Sequence, residues 1–209
     1  MTTVITDACA NALLDSAVAG ALNTTPHLSL HTGFPPAGGN EVTGGSPAYA
    51  RQVHTWAAAG SRARSIVGTE TFDVPAATTV RAIATYDAVT AGTQKAWSPA
   101  GASARRAFSV DAADVTADTI TSAAHGLVNG NSVLVWATIG AVLPTGLAED
   151  TEYFVVGAAT DTFQLSATFG GAAINLTAIG DGDVQKFTPE VFAGQGTYQV
   201  STFTVSLPG

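Results

Sequence analysis

The chain has 209 residues, of which 46% are hydrophobic and only 11% are charged, and its formal net charge is −8. Nucleic-acid binding is not expected, because an acidic chain with few bases does not neutralise phosphates. The single cysteine, Cys9, excludes a disulfide within the chain, and the 22 glycines and 9 prolines favour short strands and turns over long helices.

An N-terminal helix is predicted over residues 6–20, TDACANALLDSAVAG, with Thr6 as its cap and Gly20 at its end. Cys9 lies on its apolar face and is expected to be a small buried side chain rather than a nucleophile. The other residues expected on that face are Ile5, Ala12, Leu13 and Ala17.

Beyond Pro26 the pattern changes to the period of two that is typical of strands. In HLSLH, residues 27–31, polar residues alternate with Leu28 and Leu30, which predicts a half-buried strand. A loop rich in glycine and proline follows over residues 33–40, and another strand is expected over residues 48–53.

A run of short strands separated by turns is predicted for residues 123–176. Asn129-Gly130 stands between two apolar runs and predicts a hairpin with a type I′ turn, which needs positive φ at both central residues. Residues 152–156 and 162–166 have the aromatic and β-branched content of strands. Further turns are expected at Asp161 and Gly170-Gly171.

The order of these motifs resembles a small β module that recurs in the tail and head proteins of tailed bacteriophages. The motifs are AHGL, NG, LP-GL, a Tyr-Phe-Val-Val strand, FQLS and GGAAI, all within residues 123–176. The resemblance implies a protein of the virion surface, not an enzyme.

A second resemblance covers residues 1–103 and 188–209. The helix, LSLHTG, NEVTGG, YARQ, Trp56, FDVP, YDAVTAG and TFTVSL follow the order found in small phage proteins described as tail-fibre or head-decoration proteins, which are β-sandwiches. One turn in those proteins takes the place of residues 104–187 here. We therefore predict an all-β chain in which a small barrel or sandwich, 104–187, is inserted into a jelly-roll-like sandwich that anchors it to the virion.

The charge pattern agrees with an inserted, surface-exposed module. Residues 104–187 hold nine acids against three bases, Arg105, Arg106 and Lys186, whereas the rest of the chain holds seven acids and five bases. An acidic module on a nearly neutral base fits a protein with one side in water and the other against a partner. The remaining arginines, Arg51, Arg62, Arg64 and Arg81, are interpreted as scattered solubilising charges.

Metal binding is not predicted. His27 and His31 share one face of a predicted strand, but no third ligand has a suitable spacing. An acidic turn is favoured over a calcium site at Asp181 and Asp183, because an EF-hand needs more ligands and a closing glutamate. The other residues considered are His54, His125 and Asp161.

Catalytic and cofactor sites are not predicted either. Gly44-Gly45-Ser46-Pro47 lacks the elbow pattern of serine hydrolases, and neither it nor Gly38-Gly39 has the lysine of a phosphate loop. Paired carboxylates for glycoside hydrolysis stay an open alternative, because their separation is a three-dimensional property. Core or interface positions are favoured over a sugar-binding surface for Trp56, Trp97, Trp136, Tyr49, Tyr86, Tyr153 and Tyr198.

The expected function is that of a non-enzymatic virion structural protein, made in the bacterial cytoplasm without a secretory signal or membrane insertion. We favour a homotrimeric capsid decoration protein that binds the major capsid protein on the assembled head. The alternative is a minor tail or fibre-tip protein that binds tail proteins and contacts the host cell, with surface glycans as a partner. A depolymerase ranks third.

Overall fold

Short strands are the main regular secondary structure of the computed structural model, which describes residues 7–17 and 26–206. The prediction of an all-β chain with a short N-terminal helix and a small barrel is confirmed. Contacts between Cα atoms divide the chain into unit 1, Met1–Ser98 with Glu190–Gly209, and unit 2, Pro99–Pro189. The sequence places these boundaries at 103/104 and 187/188. The roles assigned to the two segments stay predictions.

The first helix, α1, spans Asp7–Ala17, inside the predicted range. The predicted cap at Thr6 and the predicted end at Gly20 lie outside the described residues. Ala10 and Leu14, four residues apart, are buried, whereas Cys9 is exposed. The prediction of a buried Cys9 is therefore wrong, because the buried face of the helix contains Ala10 and Leu14 and not Cys9.

The described strands of unit 1 are β1 His27–His31, β2 Gln52–Val53, β3 Thr55–Trp56, β4 Ala63–Val67, β5 Glu70–Val74, β6 Thr78–Val80, β7 Ala82–Tyr86, β8 Gln94–Pro99, β15 Glu190–Phe192, β16 Gly196–Val200 and β17 Thr204–Ser206. In the described residues they form four small sheets. One has the strand order β2-β1-β7-β8, and the others are β15-β6, β16-β5 and β17-β4-β3.

The three strands after unit 2 return to strands that precede it. Phe192 pairs with Thr78 and Tyr198 with Phe72, while β17 pairs with β4. The core of unit 1 therefore needs both ends of the chain. Its fully buried apolar residues include Leu28, Leu30, Phe72, Val74, Val80, Ala82 and Ala84.

Two strand predictions need correction. The strand β1 is present, but it is buried on both faces and not half-buried, because Ser29 and His31 are covered as completely as Leu28 and Leu30. The strand expected over residues 48–53 is reduced to β2, because the chain makes a turn from Gly45 to Ala48 before it pairs with β1.

Unit 2 contains six strands: β9 Arg106–Val110, β10 Ile120–Thr121, β11 Ser132–Ala137, β12 Tyr153–Val156, β13 Thr162–Ser166 and β14 Gly180–Phe187. They form a closed barrel with the strand order β10-β13-β12-β11-β14-β9, in which all neighbours are antiparallel. Closure leaves no free sheet edge.

Apolar side chains fill the interior of the barrel. The buried cluster consists of Phe108, Val110, Ile120, Leu127, Val133, Val135, Tyr153, Val155, Phe163, Leu165, Leu176 and Val184. Every second residue of β12 and β13 belongs to it, as do Phe108 and Val110 of β9, in agreement with the period of a strand. The predicted strands over 152–156 and 162–166 are thereby confirmed as β12 and β13.

A second helix, α2, spans Ala112–Ala117 between β9 and β10 and is not predicted from the sequence pattern. Its signal is a capping box: the Asp111 carboxylate accepts from the N–H groups of Ala113 and Asp114, and the Asp114 carboxylate accepts from the N–H of Asp111.

The predicted hairpin at Asn129-Gly130 is wrong, although a turn forms there. Asn131 N–H donates to the Val128 carbonyl at 3.1 Å, but only Gly130 of the central pair has positive φ, so the turn is not type I′. Residues 122–131 form no strand that could pair with β11, which pairs with β12 and β14 instead. Barrel closure decides these partners.

Among the described residues, no helix is both long enough and apolar enough to cross a membrane.

Candidate functional site

A hollow of about 290 Å³ lies at the end of the barrel where the chain enters and leaves it. We call it the barrel mouth and define it by Arg106, His125, Leu127, Val184 and Lys186. Val184 and Leu127 belong to the buried core, so the floor of the mouth is apolar. The rim is polar, which matches the general composition of ligand sites in the mouths of barrels.

Hydrogen bonds hold one wall of the mouth in place. His125 Nδ1 accepts from Leu127 N–H at 2.9 Å, so the ring proton of a neutral imidazole lies on Nε2, which faces the Thr162 carbonyl at 3.3 Å. The ring also packs edge-on to Phe163 at 5.0 Å. His125 is buried, and these contacts hold the AHGL segment against Thr162 and Phe163 of β13.

The opposite wall is held by the pairing of β9 with β14. Arg106 pairs with Val184, and Lys186 is the second residue beyond Val184 on β14. Ser103 N–H donates to the Lys186 carbonyl at 2.8 Å, and Gln185 Nε2 donates to the Ser103 carbonyl at 2.7 Å. The backbone that carries both cations is therefore fixed on each side.

A second hollow, of about 430 Å³, lies on the outer surface of the barrel beside Phe169. The Phe169 ring is 74% exposed and meets Phe154 edge-on at 5.8 Å. Val156, Gly171 and the backbone at Gly130 are among its other lining residues. It contains an exposed aromatic face but no charged side chain, so it suits an apolar or sugar-ring contact.

The structure places the histidines considered as metal ligands in separate roles. His31 is fully buried between the Ser29 hydroxyl at 2.8 Å and Asn40 Oδ1 at 3.0 Å, and burial lowers its pKa. His54 packs edge-on to Trp56 at 4.9 Å, and burial, with the nearby His27, lowers its pKa to about 4. No group of three or more possible metal ligands occurs among residues 7–17 and 26–206.

The acidic and glycine-rich candidates are parts of turns and strands. Asp181 and Asp183 lie on β14, so the acidic turn expected there is wrong. The Asp161 carboxylate accepts from Ala124 N–H at 2.8 Å. Ser46 does not sit on a strand-to-helix elbow: its N–H donates to Gln195 Oε1 at 2.8 Å, and Gln195 Nε2 donates to the Pro47 carbonyl.

Most of the aromatic side chains considered for sugar binding are occupied by the fold. The Arg105 guanidinium lies over the Trp136 ring, 3.9 Å from its centre, and Trp136 Nε1 donates to Asp150 Oδ1 at 3.3 Å. Trp97 is half-buried, with Phe34 at 5.7 Å. Of the others, Trp56, Tyr86, Tyr153 and Tyr198 are buried, and Tyr49 is half-buried.

A buried polar network in unit 1 is missed by the sequence analysis, which interprets Arg51 as a solubilising charge. Arg51 donates from Nε and Nη2 to both oxygens of Glu41, at 2.8 and 2.7 Å, and its guanidinium lies 3.8 Å from the centre of the Tyr86 ring. These hydrogen bonds raise the pKa of Arg51, and burial raises the pKa of Tyr49 and Tyr86.

Arg51 also donates from Nη1 to the carbonyls of Ala88 and Ala91, at 2.8 and 2.7 Å. The network therefore ties the loop before β2 to the turn after β7. Each of the three guanidinium nitrogens of Arg51 donates to an oxygen, so the network helps to hold unit 1 together.

The chain matches a known protein family. Residues 4–124, more than half of the chain, match the family described as Podophage GP4 fiber I protein gp80. The chain belongs to this fibre family. It is therefore a phage virion structural protein. A search of curated proteins and a search of solved structures found no match.

The family match covers parts of both units. It begins at residue 4, runs through unit 1 and continues past the start of unit 2 at Pro99 to residue 124. The gp80 fibre family model thus includes β9, α2 and β10 of the barrel. The resemblance of residues 123–176 to a separate phage module stays a prediction.

Proposed function

We propose that this member of the gp80 fibre family is a component of the phage tail fibre and that unit 2 contacts the host cell surface. The observation that carries the proposal is the family match over residues 4–124, whose description is that of a fibre protein. The match favours the tail alternative over the head-decoration role that the sequence analysis prefers.

Unit 1 is the proposed anchoring and assembly part. Four valines of unit 1, Val53, Val67, Val89 and Val191, are each more than half exposed. Burying these side chains in an interface would remove apolar area from water and so stabilise association. We propose that unit 1 forms the predicted homotrimer and binds neighbouring tail proteins through these surfaces.

A binding role without catalysis is proposed for unit 2. The two hollows described above have an apolar floor or an aromatic wall, and neither contains a carboxylate pair. Glycoside hydrolysis needs two carboxyl groups that flank one bond. Incubation of the purified chain with host polysaccharide should therefore leave its length distribution unchanged, whereas release of short oligosaccharides would establish an enzyme.

The position of the chain in the particle tests the main proposal. Antibodies raised against unit 2 should label the tail end of the virion in negative-stain micrographs, at a few copies per particle. A phage that lacks the chain should assemble full heads and fail to adsorb to cells. Purified chain added in excess should slow adsorption of the intact phage.

A different set of results would support the head-decoration role. Labelling spread over the head, at hundreds of copies, together with normal adsorption and heads that lose DNA on mild heating, would establish the decoration role. Light scattering that gives a monomer for the purified chain would remove the homotrimer from the proposal.

A further inference from the structure

We propose that the barrel mouth binds an anionic group of a host-surface glycan, either a uronic-acid carboxylate or a sugar phosphate. The proposal rests on the tail-fibre function proposed above, since it names the ligand class that unit 2 would meet at a cell surface. It follows from the position, charge and partners of two side chains, Arg106 and Lys186.

Both cations occupy strand positions that face the inside of the barrel. On β9, Phe108 and Val110 are buried in the core, and Arg106 is the next residue of the same alternation. On β14, Lys186 follows the buried Val184 in the same way. Each cation therefore lies at the next inward-facing position beyond the last core residue of its strand. Both line the rim of the mouth, where water or a ligand can reach them.

The register brings the two charges together. Because Arg106 pairs with Val184, Arg106 and Lys186 are diagonal neighbours on one face of the antiparallel pair. Such residues lie roughly 7–8 Å apart, a distance that long side chains bridge when they converge on one group. A guanidinium fork and an ammonium group on one anion is a common arrangement for carboxylates and phosphates.

The charge balance of unit 2 makes this pair unusual. The unit holds nine acids and three bases, yet neither Arg106 nor Lys186 forms an ion pair with any residue that the structure describes. In unit 1, by contrast, Arg51, Arg64 and Lys95 each pair with a carboxylate. The positive charge of the mouth is therefore available to a ligand from outside the chain.

The shape of the mouth suits a small charged group more than a long apolar chain. Its volume of about 290 Å³ is at the lower end of the range for ligand pockets. Gly126, in the wall, has φ +66 and open space where a Cβ would point. This leaves one side of the mouth open for the rest of a sugar chain. The apolar floor lowers the local dielectric and so strengthens attraction to an anion.

Calorimetric titration of the full chain tests the proposal with three probes: trigalacturonic acid, glucose 6-phosphate and the neutral maltotriose. At least one anionic probe should bind about tenfold or more tightly than maltotriose, and binding should weaken as salt rises from about 50 to about 500 mM. A preference for trigalacturonic acid would identify a carboxylate site, and a preference for glucose 6-phosphate a phosphate site.

Two variants with glutamines separate the mouth from general charge. The double change Arg106→Gln with Lys186→Gln should lower the affinity for the anionic probe by at least about tenfold. The change Arg105→Gln, one residue before β9, should alter it by less than about twofold, because that guanidinium lies over Trp136.

Three results would overturn the proposal: no binding of either anionic probe, equal binding of maltotriose, or full affinity in the double variant. If circular dichroism shows that the double variant is unfolded, the single changes Arg106→Gln and Lys186→Gln decide. Lower affinity for the anionic probe in a folded single variant supports the mouth, and full affinity in both contradicts it. Labelling of the chain on the head would refute the tail-fibre function alone and leave these titrations valid.

Discussion

The buried ion pair of unit 1 gives the sharpest stability prediction. Arg51→Met removes the two hydrogen bonds to Glu41, the two to the carbonyls of Ala88 and Ala91, and the contact with Tyr86. The Glu41 side chain is only 14% exposed, so its carboxylate would stay largely buried without a cation. Breaking one half of such a pair costs about 3–5 kcal/mol of unfolding free energy.

Urea unfolding measures this loss. A Trp136→Phe background removes the tryptophan of unit 2, so that fluorescence reports on Trp56 and Trp97 of unit 1. Arg51→Lys should be intermediate, because an ammonium group keeps the charge but not the paired hydrogen bonds. Lys95→Met is the matched control: it breaks a more exposed ion pair and should move the midpoint much less.

Two outcomes would refute the reasoning. Loss of less than about 1 kcal/mol in Arg51→Met would mean that water reaches the Glu41 carboxylate. A double variant, Arg51→Met with Glu41→Leu, should regain part of the loss, since it leaves no unpaired charge. A double variant that is less stable than Arg51→Met would show that packing, and not the unpaired charge, determines the effect.

Three further predictions concern the two units. Phe163→Ala should cost about 3–5 kcal/mol and lower only the barrel's unfolding transition in calorimetry; one shared transition would contradict independent units. Since folded His54 has a pKa of about 4 against 6.5 when unfolded, the unfolded state binds more protons in between. Stability should therefore fall by up to about 3 kcal/mol as pH drops from 6.5 to 4, and His54→Phe should flatten that slope in urea titrations at each pH. Replacing residues 101–187 with a short Gly/Ser turn should leave unit 1 folded by circular dichroism, because Thr188 N–H already donates to the Ala100 carbonyl at 3.0 Å; an unfolded product would refute this.

The sequence by itself determines the fold class and several individual strands. Local pattern and composition depend only on neighbours along the chain. Alternation of apolar with polar residues predicts β1 and β13, and aromatic and β-branched content predicts β12. The helix α1 is predicted in the same way, since its period is also local. The capping box at Asp111 is equally local and is a sequence signal for α2.

Only the tertiary structure decides which strands pair and which faces are covered. Asn129-Gly130 predicts a hairpin locally, but closure of the barrel places β11 between β12 and β14. Burial of His31 on the supposedly polar face of β1 depends on Asn40 and Tyr86, which come from other parts of the chain. Such contacts follow from distant residues, which no local period encodes.

The candidate site likewise depends partly on the sequence and partly on the tertiary structure. Arg106 and Lys186 are visible in the sequence as two of three bases in an acidic segment. That they share one face of one strand pair depends on the register of β9 and β14, which are separated by four other strands along the chain. Sequence supplies the charges, and the antiparallel register brings them to the mouth of the barrel, because facing positions on paired strands are fixed by hydrogen bonds and not by distance along the chain.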